Sequence, residues 1–146
     1  MKKFRQILKI GIITGLLCAF LGTVGLAGNS PYSAYYLINT GYTWNNTGST
    51  NTKATTGANW FMQAPTLTFE GVSTSGTLGM GFAPCVGTSQ RGNIHWASYP
   101  STTWYYTNWL SGYGTAGTTY NLGARLDSEL YMGSKTASSI GSWNSN

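Results

Sequence analysis

The single histidine limits the acid–base chemistry open to this chain. His95 is the only imidazole that could serve as the base of a serine triad or activate a cysteine. It stands between Ile94 and Trp96 in an alternating segment. Alternation therefore places Ile94 and Trp96 on one face of a strand and His95 on the opposite one, which we predict to be the outer face. The sequence favours a solvent-facing residue over a catalytic one.

Three carboxylates are available for glycoside hydrolysis, which needs two of them across a cleft. Asp127 and Glu129 stand two positions apart in a predicted turn, and Glu70 lies in a candidate strand. Nothing in their spacing brings Glu70 to the other two. Surface solubility, or pairing with Arg125, is the plainer account of these acids. We therefore predict no catalytic residue, and a protein that is not an enzyme.

Metal and phosphate sites are not predicted either. The histidine, the three acids and the one cysteine past residue 27 have no ligand spacing typical of zinc. The 127–129 segment lacks the oxygen-rich loop that calcium favours. The glycines at 76, 79 and 81 precede neither a lysine nor a helix, so they form no phosphate-binding loop. We predict no metal and no cofactor.

Aromatic side chains remain as the candidates for a contact surface, because their faces stack on sugar rings. Alternation places Trp104 and Tyr106 on one face of a strand, and Tyr105 and Trp109 on the other. A two-layer fold cannot bury both faces, so some rings should be exposed and mark a contact site. The alternative is core plus ordinary sheet surface, since Trp and Tyr favour strands. The predicted contact residues are Trp96, Trp104, Tyr106 and Trp109.

Short apolar runs separated by turn residues predict the all-β domain that positions these rings. Past residue 27 no stretch has helical periodicity, and Thr, Tyr, Trp and Gly outnumber strong helix formers. Turn signals about every 10–15 residues predict a single small antiparallel β-sandwich. The predicted strands are residues 35–43, 59–63, 66–72, 77–83, 93–98, 103–109, 120–126 and 140–143.

The connections between these strands are also predicted from composition. Residues 45–57 are rich in Asn, Thr and Gly and predict a polar loop, and Ser73–Gly76 predicts a tight hairpin. Glycines at 79, 81 and 123 fall inside strands. They predict a close backbone approach or the packing of a facing ring.

The first 27 residues, called the leader below, have the pattern of a secretory signal. A basic head precedes an uncharged run over 10–27, and Gly25 and Ala27 fit the −3 and −1 positions of a signal peptidase site. An uncleaved anchor is one alternative, although 18 residues broken by glycines are near the lower limit for a span. Lipidation at Cys18 is another, although no small residue stands just ahead of it. We predict a signal-peptide helix at 1–27 and a secreted domain at 28–146, with membrane contact only before cleavage.

Removal of the leader changes the charge and the cysteine count. The formal net charge of +5 falls to near +1, because four of the eight Lys and Arg residues and none of the three acids precede Ala27. Scattered cations cannot neutralise a run of phosphates, so nucleic acid is not a predicted partner. Cys85 is left without an internal partner. A buried small hydrophobe and an intermolecular disulfide are the two alternatives.

The C-terminal third resembles a family of small exported bacterial proteins known as domain-of-unknown-function family 2712. The matching residues are Leu122-Gly123-Ala124 and a Ser-x-x-Gly-x-Trp ending at Ser138–Trp143. The chain ends Asn144-Ser145-Asn146 where that family has a Ser-Pro-Asp-like tail. The resemblance implies a signal peptide and a short β-rich domain, and it carries over no catalytic residue.

A second, fainter resemblance is to the bacteriocins related to lactococcin 972, which are exported β-sandwich proteins. Residues 133–136 and Trp143 carry it. It implies secretion and interference with envelope assembly in a competitor. Together the residues and the resemblances predict a non-enzymatic protein, extracellular or associated with the cell wall, that contacts a component of a bacterial cell envelope. The alternative is a carbohydrate-binding module whose exposed aromatics hold a glycan.

Overall fold

The computed structural model describes residues 28–37, 43–57, 59–70, 79–126 and 136–146, and the leader lies outside them. The described residues form nine strands and no helix, so the all-β prediction is confirmed. None of them forms a helix long and apolar enough to cross a membrane. The strands are β1 (Ser30–Leu37), β2 (Asn45–Thr52), β3 (Asn59–Glu70), β4 (Met80–Val86), β5 (Ser89–Gln90), β6 (His95–Ala97), β7 (Ser101–Asn108), β8 (Thr119–Leu126) and β9 (Thr136–Asn144).

Two antiparallel sheets pack against each other. The first sheet has the strand order β1-β9-β3-β7, and the second has the order β2-β8-β4-β5, with β6 also pairing with β4. Alternate residues of the facing strands fill the space between them. Each buried aromatic ring removes about 150–250 Å² from water, which makes rings the main source of stability in a chain with few aliphatic residues. The fully buried large apolar side chains include Trp60, Met62, Met80, Phe82, Leu122 and Trp143.

One long strand replaces the two predicted at 59–63 and 66–72. β3 runs from Asn59 to Glu70, and its pairing with β9 shifts register between Gln63 and Thr66. Pro65 lies within this shift and is exposed. Proline lacks the N–H that a ladder needs and is found in sheets at such irregularities. The proline therefore marks a bulge within a strand, where the sequence indicated a break between two strands.

The predicted hairpin between β3 and β4 is wrong as a pairing. β3 pairs with β7 and β9 in the first sheet, whereas β4 pairs with β5, β6 and β8 in the second. Residues 73–76 themselves lie outside the described residues. Both strands alternate as predicted, but alternation only says which side chains share a face, and it does not identify the neighbouring strand.

The predicted polar loop at 45–57 is wrong over its first half. β2 occupies Asn45–Thr52 and pairs with β8, with an irregularity between Asn46 and Thr50. Its inward side chains at Ser49 and Asn51 are polar, yet both are buried. Trp143 Nε1 donates to Ser49 Oγ at 2.8 Å, and Asn51 Nδ2 donates to Ser30 Oγ at 2.9 Å. These buried polar side chains are satisfied by hydrogen bonds. The inward positions of β2 are therefore polar, and the sequence lacks the apolar alternation that would predict a strand.

The last strand is longer and more central than predicted. β9 spans Thr136–Asn144 and lies between β1 and β3, where the sequence predicted a short closing strand at 140–143. Ser139 is fully buried in it, and its Oγ donates to Thr66 O at 2.9 Å. A buried hydroxyl that has a hydrogen-bond partner destabilises a sheet little. A central strand can therefore contain several serines, and the sequence of β9 does not show its central position.

Candidate binding surfaces

The four predicted contact residues lie in three different places. Trp104 and Tyr106 lie on the outer face of the first sheet, and Trp96 lies on the outer face of the second sheet. Trp109 is buried in the core. The structure therefore brings two of the four together, and these two define the candidate site.

Trp109 is a core residue, so the prediction that it belongs to a contact surface is wrong. Its ring packs on Tyr120 with the ring centroids 4.4 Å apart, and its Nε1 donates to Asn59 O at 3.1 Å. It follows directly after β7 and forms an isolated bridge with Gly92. The bridge holds Trp109 beside Gly92, which follows β5 of the second sheet. Gly114 lies against the ring, where a Cβ would come within 2.6 Å of Trp109 Cγ.

Three rings form an aromatic surface, defined here as Phe61, Trp104 and Tyr106. Phe61 lies opposite Tyr106 in the β3–β7 ladder, and its ring centroid is 5.4 Å from those of both other rings. Trp60 and Met62 flank Phe61 and are fully buried, so Phe61 faces outward. Tyr106 is 67% exposed. The alternation prediction for Trp104 and Tyr106 is confirmed.

Sequence reasoning missed Phe61 as a member of this surface. The signal was present, since Phe61 is the odd position between two buried residues of a predicted strand. What the sequence lacked was the β3–β7 pairing, which places the ring beside Tyr106. A neighbour across strands is a long-range property that a local pattern does not contain.

The four described strands around the aromatic surface have few charges and many hydrogen-bonding groups. Gln63, two residues along β3, lies opposite Ser142, which in turn lies opposite Pro31 of β1. The four strands of this sheet contain one charged residue, Glu70, which ends β3. Its Oε2 accepts a hydrogen bond from Thr136 Oγ1 at 3.1 Å. The face thus combines aromatic rings with amide and hydroxyl groups, the combination that neutral sugars require.

Trp96 occupies the outer face of the second sheet, together with the glycines on which it packs. It is 41% exposed and lies opposite Gly81 in the β4–β6 ladder. A Cβ on Gly79 would lie 3.2 Å from the indole, and one on Gly81 would lie 2.8 Å from it. A Cβ on Gly123 would likewise lie 3.2 Å from Cε3 of Trp44. The prediction that these glycines accommodate facing rings is confirmed.

His95 faces inward, so the prediction that it lies on the outer face is wrong. It pairs with Phe82, a core residue, and its ring stacks on Tyr105 with the centroids 4.3 Å apart. Ile94 and Trp96 do share a face, but that face is the outer one. The imidazole Nε2 is buried and has no hydrogen-bond partner among the described residues. The imidazole therefore packs between β6 of the second sheet and β7 of the first.

Burial lowers the pKa of His95 below its ordinary value of 6.5. The unfolded chain therefore takes up the proton first as the pH falls, and the domain loses stability as the pH drops below about 6.5. Above that pH the imidazole is neutral in both states and the stability no longer changes. Urea unfolding between pH 5 and 7.5 measures this. The loss should disappear in His95→Phe, which keeps the stack, and an unchanged loss in that variant would contradict the assignment.

Cys85 is a buried small residue, as one of the two alternatives predicted. Its side chain is fully buried, and burial raises the pKa of the thiol to about 11, against smaller lowering effects of the Gly123 backbone and Arg91. The thiol donates to Ala83 O at 3.5 Å. A sulfur in this position is not accessible to a second chain, so the intermolecular disulfide is not supported.

The acidic residues give no cleft in the part of the chain that is described. Glu70 lies at the end of β3, and Asp127 and Glu129 lie outside the described residues. Within the described ranges no three His, Cys, Asp or Glu side chains come together as metal ligands. The candidate site is therefore the aromatic surface.

No family model, no curated protein and no solved structure matches this chain. The two resemblances given above remain predictions, and the case for function rests on the geometry of the aromatic surface.

Proposed function

We propose that this chain is a secreted, non-enzymatic protein that contacts a bacterial cell envelope by binding glycan on the aromatic surface. The exported part is a single β-sandwich over residues 28–146, released from a signal-peptide helix at 1–27. The protein acts outside the cell or on its wall. The observation that carries the proposal is the exposed Tyr106 ring beside Phe61 and Trp104 on a sheet whose four strands contain one charged residue, Glu70.

The chemistry of that face supports a neutral polymer as the ligand. Aromatic rings pack against the C–H faces of sugars, and Gln63 and Ser142 supply donors and acceptors for hydroxyl groups. A sheet face is extended in two directions, so it can contact several consecutive sugar units. A charged ligand would gain little there, because Glu70 is the one charged residue of the four strands.

The hydrogen bonding of Gly28 supports the boundary between leader and domain. Asn51 Nδ2 donates to Gly28 O at 2.6 Å, so the domain holds the first residue after the predicted cleavage site. The inward position of His95 against Tyr105 supports a binding role over an acid–base role.

Binding to purified peptidoglycan tests the proposal. The full chain is expressed with its leader, and the exported protein is recovered and offered to peptidoglycan and to whole cells. The Trp104→Ala, Tyr106→Ala double variant removes two stacking rings, each worth about 0.5–1.5 kcal/mol in aromatic pairs. We expect it to bind about ten-fold more weakly or worse.

Tyr99→Ala is the matched control, because Tyr99 is 63% exposed and is not part of the aromatic surface. It should bind as the unmodified protein does. Failure of the unmodified protein to bind either envelope preparation, or equal binding by the double variant, would overturn the proposal. Binding to cellulose or chitin in place of peptidoglycan would favour the carbohydrate-binding module.

A growth assay separates contact from killing. If the bacteriocin-like version holds, the purified exported protein inhibits related strains, and the double variant does not. Retention on the wall without inhibition would leave envelope contact standing and remove the toxic role.

A further inference from the structure

The outer face of the second sheet holds an arginine between two indoles. The guanidinium carbon of Arg125 lies 4.8 Å from the ring centroid of Trp44 and 5.4 Å from that of Trp96. Trp44 is buried, whereas Trp96 is 41% exposed and Arg125 is half-buried. We call these three residues the indole–arginine stack.

Small residues of the underlying strands hold the stack in place. Trp96 lies over Gly81 of β4, and Trp44 lies over Gly123 of β8, with no room for a Cβ at either glycine. Arg125 is two residues beyond Gly123 on the same outward row of β8. The rings and the guanidinium therefore rest on backbone, and a site built on strands is more rigid than one built on loops.

Within the described ranges, the Nε of Arg125 has no hydrogen-bond partner, whereas a second stacked arginine, Arg91, has one for its Nη1. Arg125 Nε is buried, and no described residue accepts a hydrogen bond from it. Arg91 also lies over a ring, that of Tyr113, but its Nη1 donates to the Tyr113 hydroxyl at 2.8 Å. Stacking engages only the faces of a guanidinium, and the N–H groups at its edges are the ones that bind anions. The nearby indoles exclude water and so strengthen any charge pairing at those edges.

We propose that the indole–arginine stack binds an oxyanion, a carboxylate or a phosphate, carried on a sugar or polyol chain. The guanidinium recognises the oxyanion, and the exposed part of Trp96 packs against the carbon skeleton beside it. The site lies on the opposite sheet from the aromatic surface, so it does not depend on the function proposed above. With both sites, the exported protein would hold two polymer chains at once.

Nuclear magnetic resonance of the exported protein tests this site directly. The Nε–H signal of Arg125 and the indole N–H signals are followed during titration with an oligogalacturonate, with glycerol phosphate and with a neutral galactose oligomer. We expect saturable shifts of Arg125 and Trp96 with at least one of the two anionic probes and none with the neutral one. The anionic probe that saturates identifies carboxylate or phosphate as the natural group.

Two arginine variants supply the matched comparison. Arg125→Lys keeps the charge but loses the planar fork, and we expect about ten-fold weaker binding. Arg91→Lys should bind as the unmodified protein does. Trp96→Phe, expected to bind several-fold more weakly, replaces Arg125→Lys if that variant fails to fold. The proposal is overturned if neither anionic probe shifts Arg125, if the neutral probe shifts it equally, or if Arg91→Lys loses as much affinity.

Discussion

Gly141→Ala is expected to prevent the domain from reaching its native structure. Gly141 lies in β9, between β1 and β3, where Tyr32 is its partner in the β1 ladder. An added Cβ would overlap the backbone oxygen of Gln63 and would lie 2.8 Å from the Tyr32 hydroxyl oxygen. Backbone on one side and a buried ring on the other cannot both give way. We expect a loss of more than about 3 kcal/mol, beyond ordinary overpacking.

Gly57→Ala is the control for this glycine. A Cβ at Gly57 would have only ordinary contacts, at 3.9 Å from Lys53 Nζ and 4.0 Å from Thr55 O. Export yield and urea unfolding followed by tryptophan fluorescence measure both variants. Gly57→Ala should change the stability by less than about 1 kcal/mol. A Gly141→Ala protein as stable as Gly57→Ala would show that β9 does not approach β3 as described.

Alternation was the most informative signal in the sequence. It predicts that Trp104 and Tyr106 share a face, which proves to be the outer one. Glycines inside predicted strands indicate facing rings, which prove to be Trp96 and Trp44. These properties are local, because the side-chain period of a strand fixes them whatever the strand pairs with.

Strand pairing was beyond the reach of local patterns, and the errors follow from that. Alternation within β6 does not say which face is the inner one, and the pairing with β4 turns His95 inward and Trp96 outward. Phe61 was missed because its neighbour comes from β7. Trp109 was assigned to the surface because its bridge to Gly92 has no local signature. Two of the three residues of the candidate site are therefore predictable from the sequence, and their grouping with Phe61 is not.

Lys53 shows the same limit most clearly, because a lysine in a predicted polar loop proves to be fully buried. Its side chain is 1% exposed, and its Nζ donates to the backbone oxygens of Ser145 and Asn146 at 2.7 and 2.8 Å. Nζ also lies 5.0 Å from the ring centroid of Trp109. Burial lowers the pKa of the amine, because removal from water disfavours its charged form.

The residues around Lys53 join the two ends of the domain. Asn51, two positions earlier, donates to Gly28 O at 2.6 Å and accepts a hydrogen bond from Ser145 N at 3.1 Å. Lys53 N donates to Thr118 O at 3.0 Å, so the backbone of this segment is held as well as its side chain. The buried amine therefore holds the C-terminal segment beside the end of β2. Because this segment directly follows β9, the amine also helps to hold β9 in place.

Lys53→Met is expected to cost about 1–3 kcal/mol, because it keeps the volume of the stem but removes the donor of the buried Ser145 O and leaves Asn146 O with Thr55 N alone. Lys53→Ala should cost more, since it adds a cavity beside Trp109. Thr119→Ala, which removes an exposed hydroxyl bonded to Thr52 at 2.8 Å, is the control and should cost less than about 1 kcal/mol. The free energy of unfolding in urea, measured for each of the three variants, tests this order. If Lys53→Met proved as stable as the control, the amine would contribute nothing to holding the C-terminal segment, and the hydrogen bond from Ser145 N to Asn51 and the packing of Trp143 would hold it.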